Sequence, residues 1–530
     1  MAVGRLGDLA AGLRFVHSLA SAPGRPVSLD EARRALRDRL ARREADFLAL
    51  IDTAIYANAT SPYRRLLALA GCERGDIDAL VRRDGIEGAL ATLYRHGVYL
   101  TVDEMKGRRP AVRGGESVRV EPALLRVPGS AAHVITHSSG SRGPRTAVTL
   151  DLAALRAQAG NVALLFEARG GADWVHAVWA VPGSAVVGRL HHYQTLRLRV
   201  DRWFSHVDAR SPGLHPRYRW SARLQRLGSR LAGFPLPAPE HVSVDDPLPI
   251  ARWMQGVLRR GRRPHLWTFP SSAVRLCQAA ERAGLALRGA QFTLTGEPMT
   301  DGRRRTIVGA GADAQACYGS AETGMVGYGC LEPDASDDVH VASDLHAVIQ
   351  AGPDGPLRPR ALLVTSLGTS ARVMLLNVSL GDEADLGVRA CGCPLESSGW
   401  RSHLRHIRSF EKLNAGGIAL LDADVVGVLE ETLPARFGGG PTDYQLVEDE
   451  SPDGGARLRL LVHPAIGPLD ERAVADAFLA AIGQGEGVER LVELHWRQAG
   501  LPVVERQAPR MGASGKIAHL ERPRAGGAAD

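Results

Sequence analysis

The sequence predicts an α/β protein. Three observations predict it: apolar β-like runs alternate with stretches of helical periodicity, the runs end in Gly-, Ser- or Pro-rich loops, and the 530 residues suffice for three or four domain-sized units. Hydrophobic residues make up 45% and charged residues 23%, a globular composition that excludes a disordered, collagenous or disulfide-scaffold chain.

The elements follow in order. Residues 27–50 read as a helix, with Ser28 as its cap and Glu31 three positions on. Short helices continue over 62–95, and short β-like pieces over 98–127, broken at Gly107 and Gly114-Gly115. Strands are expected at 133–139, 146–151, 173–182, 290–298 and 314–324, and helices at 150–168, 271–285 and 300–309. The segment 205–263, rich in Pro and Arg, reads as an irregular surface insertion. Near the C-terminus, 457–464 is a strand and 470–483 a helix.

The charge is 65 basic against 58 acidic residues, a mild excess of +7 spread along the chain. Its densest runs, Arg33–Arg43, Arg259–Arg263 and Arg303–Arg305, read as solvated helix faces. A nucleic-acid groove would interleave them with aromatics. The longest apolar run, 174–188, is interrupted by His176 and Pro182 and is too short for a membrane span. The N-terminus carries Asp8 inside its apolar stretch, unlike a secretory signal, so a cytoplasmic enzyme with neither nucleic-acid nor membrane partner is expected. Only three of the 65 basic residues are lysines: Lys106, Lys412 and Lys516. Where an arginine-rich chain keeps lysine, a compact point charge is worth asking about.

Four loops could carry chemistry. Ser138, Ser139, Gly140, Ser141, Arg142, Gly143 and Thr146 lie in SSGSRGPRT, whose glycines and hydroxyls would let a phosphate chain approach. It lacks the GK[ST] of a Walker A loop, and alone it reads equally as a surface turn. Tyr318-Gly319-Ser320-Ala321-Glu322 ends a predicted strand, where α/β folds bind ligands, and Glu322 there could hold Mg2+. Gly381-Asp382 offers a carboxylate whose two oxygens match a pair of ribose hydroxyls. Gly515-Lys516 sits in a Gly/Ser loop near the C-terminus. A solvated loop Glu, a turn Asp and a tail lysine are the plain alternatives.

Taken in order, these motifs resemble the adenylate-forming superfamily, and within it the phenylacetate–CoA ligase-like branch. SSGSRGPRT is similar to that branch's phosphate loop, Thr295-Gly296-Glu297-Pro298 to its adenine-side turn, YGSAE to its Tyr-Gly-x-x-Glu motif, Gly381-Asp382 to the ribose site, and Ser514-Gly515-Lys516 to the C-terminal lysine motif. SPYRRLLALAG (61–71) resembles the branch's N-terminal helix, so the likeness runs from about residue 61 to 517. The chain departs from it in two places. Arg142, Pro144 and Arg145 replace the loop's usual Thr, Lys and Pro. Around the hinge, IRSFEKLNAGG (407–417) keeps only Arg408.

The resemblance implies a large layered N-terminal adenylation domain (1–408) and a small mobile α+β C-terminal lid (409–530). It implies ATP-dependent, Mg2+-assisted activation of a carboxylic acid to an acyl-adenylate, then transfer to a thiol of coenzyme A or of a carrier protein. An amine acceptor, or a non-catalytic relative, stays open. It gives Lys516 and Glu322 catalytic roles and puts the phosphate loop, Thr295, Gly296, Glu297, Tyr318, Gly319, Asp382 and Arg408 on the nucleotide. By position, Trp179, His191, Tyr193, Phe269 and Ser271 fall to the acid pocket, where aromatic walls suit an aryl acid but equally fill cores. Some members of the branch hold a structural zinc. Cys330, His340, Cys391 and Cys393 would fit one as a closed thiolate–imidazole set, the alternative being free cysteines and a hydrogen-bonded histidine.

Overall fold

The computed structural model describes residues 26–129, 134–137, 147–150, 152–180, 184–206, 208, 216–244, 246–320, 322–368, 371–409, 422–450, 456–484, 493, 496–497, 501–511 and 520–521. The phosphate-loop residues 138–146 and Lys516 lie outside them.

The chain divides into two units. The first comprises 1–242, 257–267 and 315–407; the second comprises 243–256, 268–314 and 408–530.

In the first unit, the apolar run Trp174–Ala180 forms a parallel strand flanked by Val200–Ser205 and Arg263–Thr268, with Pro239–His241 beyond Val200–Ser205. A strand apolar on both faces is one buried on both faces. Helix Leu152–Ala168 contributes Val162, Leu165 and Phe166 to its core, and helix Ser184–Thr195 contributes Val186, Leu190 and Tyr193. A second run of strands follows the order His346–Gln350, Ala361–Ser366, Val378–Val388, Ser402–Ser409, Val339–Val341, Gly324–Gly329, Asp313–Ser320. The short strand Leu100–Thr101 joins Val378–Val388 in parallel, Leu100 opposite Val378. Buried Asn377 fixes this junction: its side-chain amide donates to the carbonyls of Leu90 and Val98.

The second unit contains a four-stranded sheet in the order Val503–Glu505, Ala456–Val462, Tyr444–Glu450, Leu520–Glu521. Helix Glu471–Ile482 is capped by Asp470, which accepts from the amides of Arg472 and Ala473. Its Val474 and Phe478 join the buried cluster of Tyr444, Leu446, Leu460 and Trp496.

Three expectations change. The helix expected over 27–50 is two, Leu29–Ala41 and Arg43–Ile51, separated where Arg42 leaves helical geometry; Ser28 does cap the first, accepting from Glu31 N at 3.2 Å. Within the segment 205–263, expected to be irregular, the described residues form helices Pro216–Leu231 and Leu248–Arg259. Its prolines mislead because Pro216 and Pro249 stand in first turns, where the missing N–H costs nothing. The run Arg303–Arg305 is not wholly a solvated face, since Arg303 is fully buried.

Candidate functional site

Residues distant in sequence meet in the first unit. The strand Asp313–Ser320 presents Tyr318, whose phenol donates to Asp382 Oδ2 at 3.0 Å. Asp382 is not at a strand end, as the sequence suggests, but inside Val378–Val388. Ala361 and Leu363 pair with Glu383 and Ser379, so two steps on one strand face four on the other. Gly381 takes φ 80° in the surplus, a bulge that aims the next side chain out of the ladder. Burial, then the charge of Asp382, holds the Tyr318 hydroxyl well above its ordinary value, so it stays a donor.

Past Ser320 the chain turns tightly. Glu322 N and Thr323 N both donate to Ser320 Oγ, and Arg372 donates to the Glu322 carbonyl at 3.2 Å. A Cβ on Gly319 would run into the Gly324 carbonyl oxygen, so this position needs glycine. The Glu322 carboxylate meets the Lys106 ammonium at 2.9 Å, each side chain 14% exposed. Burial would raise the Glu322 pKa. The charge and hydrogen bond of Lys106, aided by Ser320, outweigh it and hold the carboxyl below its usual value. A single ionised carboxylate fits Mg2+, which takes one or two protein carboxylates and fills the remaining positions with water and phosphate oxygens.

Cys330, His340, Cys391 and Cys393 converge with their donor atoms within 4.8 Å of one another. His340 Nδ1 donates to the Trp400 carbonyl at 2.7 Å, which leaves Nε2 with its lone pair facing Cys393 Sγ at 3.1 Å and Cys391 Sγ at 3.6 Å. A carbonyl on the far ring nitrogen is the usual second partner of a metal-bound histidine. A hydrogen bond from the Cys330 thiol, the first cause, pulls the Cys393 thiol far down, toward the thiolate a metal needs. Three sulfurs and one imidazole nitrogen suit zinc.

In the second unit, Glu297 is already engaged. Its oxygens accept from Ser271 N at 2.9 Å, Ser271 Oγ at 2.8 Å and Arg303 at 3.1 Å. Arg303 reaches Glu430 as well, Nε to Oε1 at 2.9 Å, and Thr300 donates to the other oxygen of Glu430. Glu297 and Ser271, assigned to nucleotide and acid respectively, therefore form one hydrogen-bonded group. Thr295 ends strand Gln291–Thr295, Gly296 takes φ 87°, and Phe269 precedes the helix Pro270–Arg282. Arg408 lies in the last turn-ward residues of strand Ser402–Ser409.

Of the other pocket residues, Trp179 is fully buried and donates to the Val242 carbonyl, and His191 is buried. Tyr193 lies 3.2 Å from His265 Nδ1 inside an aromatic cluster with Phe166 and Trp267. Lys106 is the residue that motif reading missed. It stands in no motif, and its signal was the scarcity of lysine.

The fold and site define a two-unit α/β protein with a clustered Tyr–Asp pair, a lysine-paired glutamate and a Cys3His set. No protein-family model matches the chain, and no curated protein matches it. Solved structures do. Similar to it are ATP-bound MatB from Rhodopseudomonas palustris (14% identity over 90% of this chain and 93% of that one, TM-score 0.39) and o-succinylbenzoate CoA synthetase from Bacillus subtilis with its acyl-adenylate (13%, 73% and 68%, TM-score 0.42). The anthranilate CoA ligase AuaEII with anthranoyl-AMP is also similar (11% identity, 87% and 79%, TM-score 0.42). Among the described residues no helix is long and apolar enough to cross a membrane.

Proposed function

We propose that the chain is an AMP-forming acid–thiol ligase: it activates a carboxylic acid, of the aryl or another small organic class, with ATP and passes the acyl group to a thiol such as coenzyme A or a carrier-protein pantetheine. The observation that carries this is the Tyr318–Asp382 hydrogen bond. Two motifs 64 residues apart, each expected on the nucleotide, share one bond.

Activation joins two anions, a carboxylate and a triphosphate, so charge neutralisation is the main demand on the protein. Asp382 grips the ribose hydroxyls and Tyr318 fixes the carboxylate that does so. Glu322 would hold Mg2+, which supplies charge neutralisation on the phosphates. Ser138–Thr146 cradles the β- and γ-phosphates, and Lys516 bridges the acid's carboxylate and the α-phosphate. Residues 409–530 carry Lys516 to and from this step as a lid. Cys330, His340, Cys391 and Cys393 would hold a zinc that ties their loops together and takes no part in the reaction.

ATP–pyrophosphate exchange against a panel of aryl, fatty and amino acids tests the reading. Exchange with one acid class, lost in Lys516→Ala, supports it. Silence across the panel, with no thermal stabilisation by Mg2+–ATP, sinks it.

A further inference from the structure

We propose that Lys106 is a built-in counter-cation for Glu322, exchanged for the divalent metal when nucleotide binds, and that it thereby sets how strongly nucleotide binding depends on metal. This rests on the metal role given to Glu322 above.

Three observations lead to it. The pair is close and largely dry: Lys106 Nζ lies 2.9 Å from Glu322 Oε1 and each side chain is 14% exposed. A lysine so covered is rare unless paired. The backbone delivers it deliberately. Leu100–Thr101 pairs with the strand that carries Asp382, and the helix Val102–Met105 follows at once. That helix is held by a capping box in which Thr101 accepts from Glu104 N and Glu104 accepts from Thr101 N at 2.8 Å. Glu104 is further locked to Arg113 at 2.9 Å. Lys106 is the residue that ends this turn. Lastly, the chain uses arginine at 62 of 65 basic positions, yet lysine here. An arginine fork would grip both carboxylate oxygens and stay. A lysine offers one point charge on a flexible stem, able to swing away.

A carboxylate buried this far needs a positive neighbour at all times. Before the metal arrives, Lys106 supplies it. When the metal arrives, Lys106 must yield, and its displacement offsets part of the metal's gain. Lys106 is thus a positioning residue that acts through Glu322.

The test uses the full chain at pH 8. The affinity for α,β-methylene-ATP is measured by calorimetry with Mn2+ and again with EDTA, and the ratio is the metal enhancement. Lys106→Gln removes the competing charge and should raise the ratio roughly tenfold. Lys106→Arg locks the carboxylate and should lower it. Glu322→Gln should bring it to about one, with circular dichroism confirming the fold of each variant. A ratio unchanged or lowered in Lys106→Gln, while Glu322→Gln still abolishes the enhancement, overturns the role of Lys106 and leaves the metal role of Glu322 standing. A wild-type ratio that Glu322→Gln does not change overturns both.

Discussion

Tyr318 and Asp382 are joined by a hydrogen bond of 3.0 Å although 64 residues separate them. The bond needs both a strand that ends at Ser320 and a bulge at Gly381. Each would be an ordinary local feature without the other. Together they hold a carboxylate in one orientation, with a donor that does not ionise.

Tyr318→Phe keeps the ring and removes the donor. A hydrogen bond to a charged group is worth about 1.5–3 kcal/mol, so the KM for ATP should rise roughly tenfold or more while the fold is kept. Steady-state kinetics in the exchange assay, with circular dichroism as control, checks this. An unchanged KM would mean that Asp382 does not bind nucleotide through the oxygen Tyr318 holds.

The Cys3His set predicts one bound metal per chain. Elemental analysis of the purified protein should find zinc near one equivalent, and Cys393→Ser should lose it. Because the ligands come from segments ending at Cys330, His340 and Cys393, losing the metal frees all three. The unfolding midpoint should then fall by roughly 5 °C or more. Wild-type protein with no zinc and full stability would leave the cluster a hydrogen-bonded thiol group.

Strands and helices with strong periodicity were legible, as was the capping serine at 28, because short-range chemistry fixes them; the Cys3His set was legible only through the family resemblance, since Cys330 and Cys391 lie far apart in the sequence. What escaped was set by tertiary context. Pro216 and Pro249 look like breakers until their place in a first turn is known. Arg303 looks like a surface charge until Glu297 and Glu430 are found on either side of it. Lys106 matters only through a partner 216 positions along the chain. Trp179 and Tyr193, aromatic and well placed by order, are packed into a core whose extent no periodicity reveals.

Arg303 makes a sharp energetic prediction. It is fully buried between two glutamates in the second unit. Arg303→Met would remove the cation that lies between the two carboxylates, and breaking such a pair costs about 3–5 kcal/mol. The triple change Arg303→Met, Glu297→Gln, Glu430→Gln should recover much of that loss, since no charge is then stranded. Urea unfolding of the three proteins measures both effects. If the single change proves neutral, the ion pairs contribute nothing beyond packing.

Buried histidines predict how the fold responds to acid. His176, His192 and His206 are pushed down to about 3, and His346 to about 4, in each case first by burial. A histidine of ordinary value 6.5 in the unfolded chain binds a proton there well before it does so in the folded one. Its contribution to stability is therefore complete above about 6.5 and is lost progressively as pH falls toward the folded value. Each such group contributes a slope of up to about 1.4 kcal/mol per pH unit inside that window, and the four together up to about 5. The urea midpoint should accordingly drop between pH 7 and pH 5, with proton uptake on unfolding. His192, whose ring packs near Trp267 at 6.1 Å between centroids, can be replaced by phenylalanine with little change of shape. His192→Phe should reduce the uptake by up to one proton and flatten the slope in step. Equal midpoints at pH 7 and pH 5 would mean that these rings are accessible to protons in the folded chain.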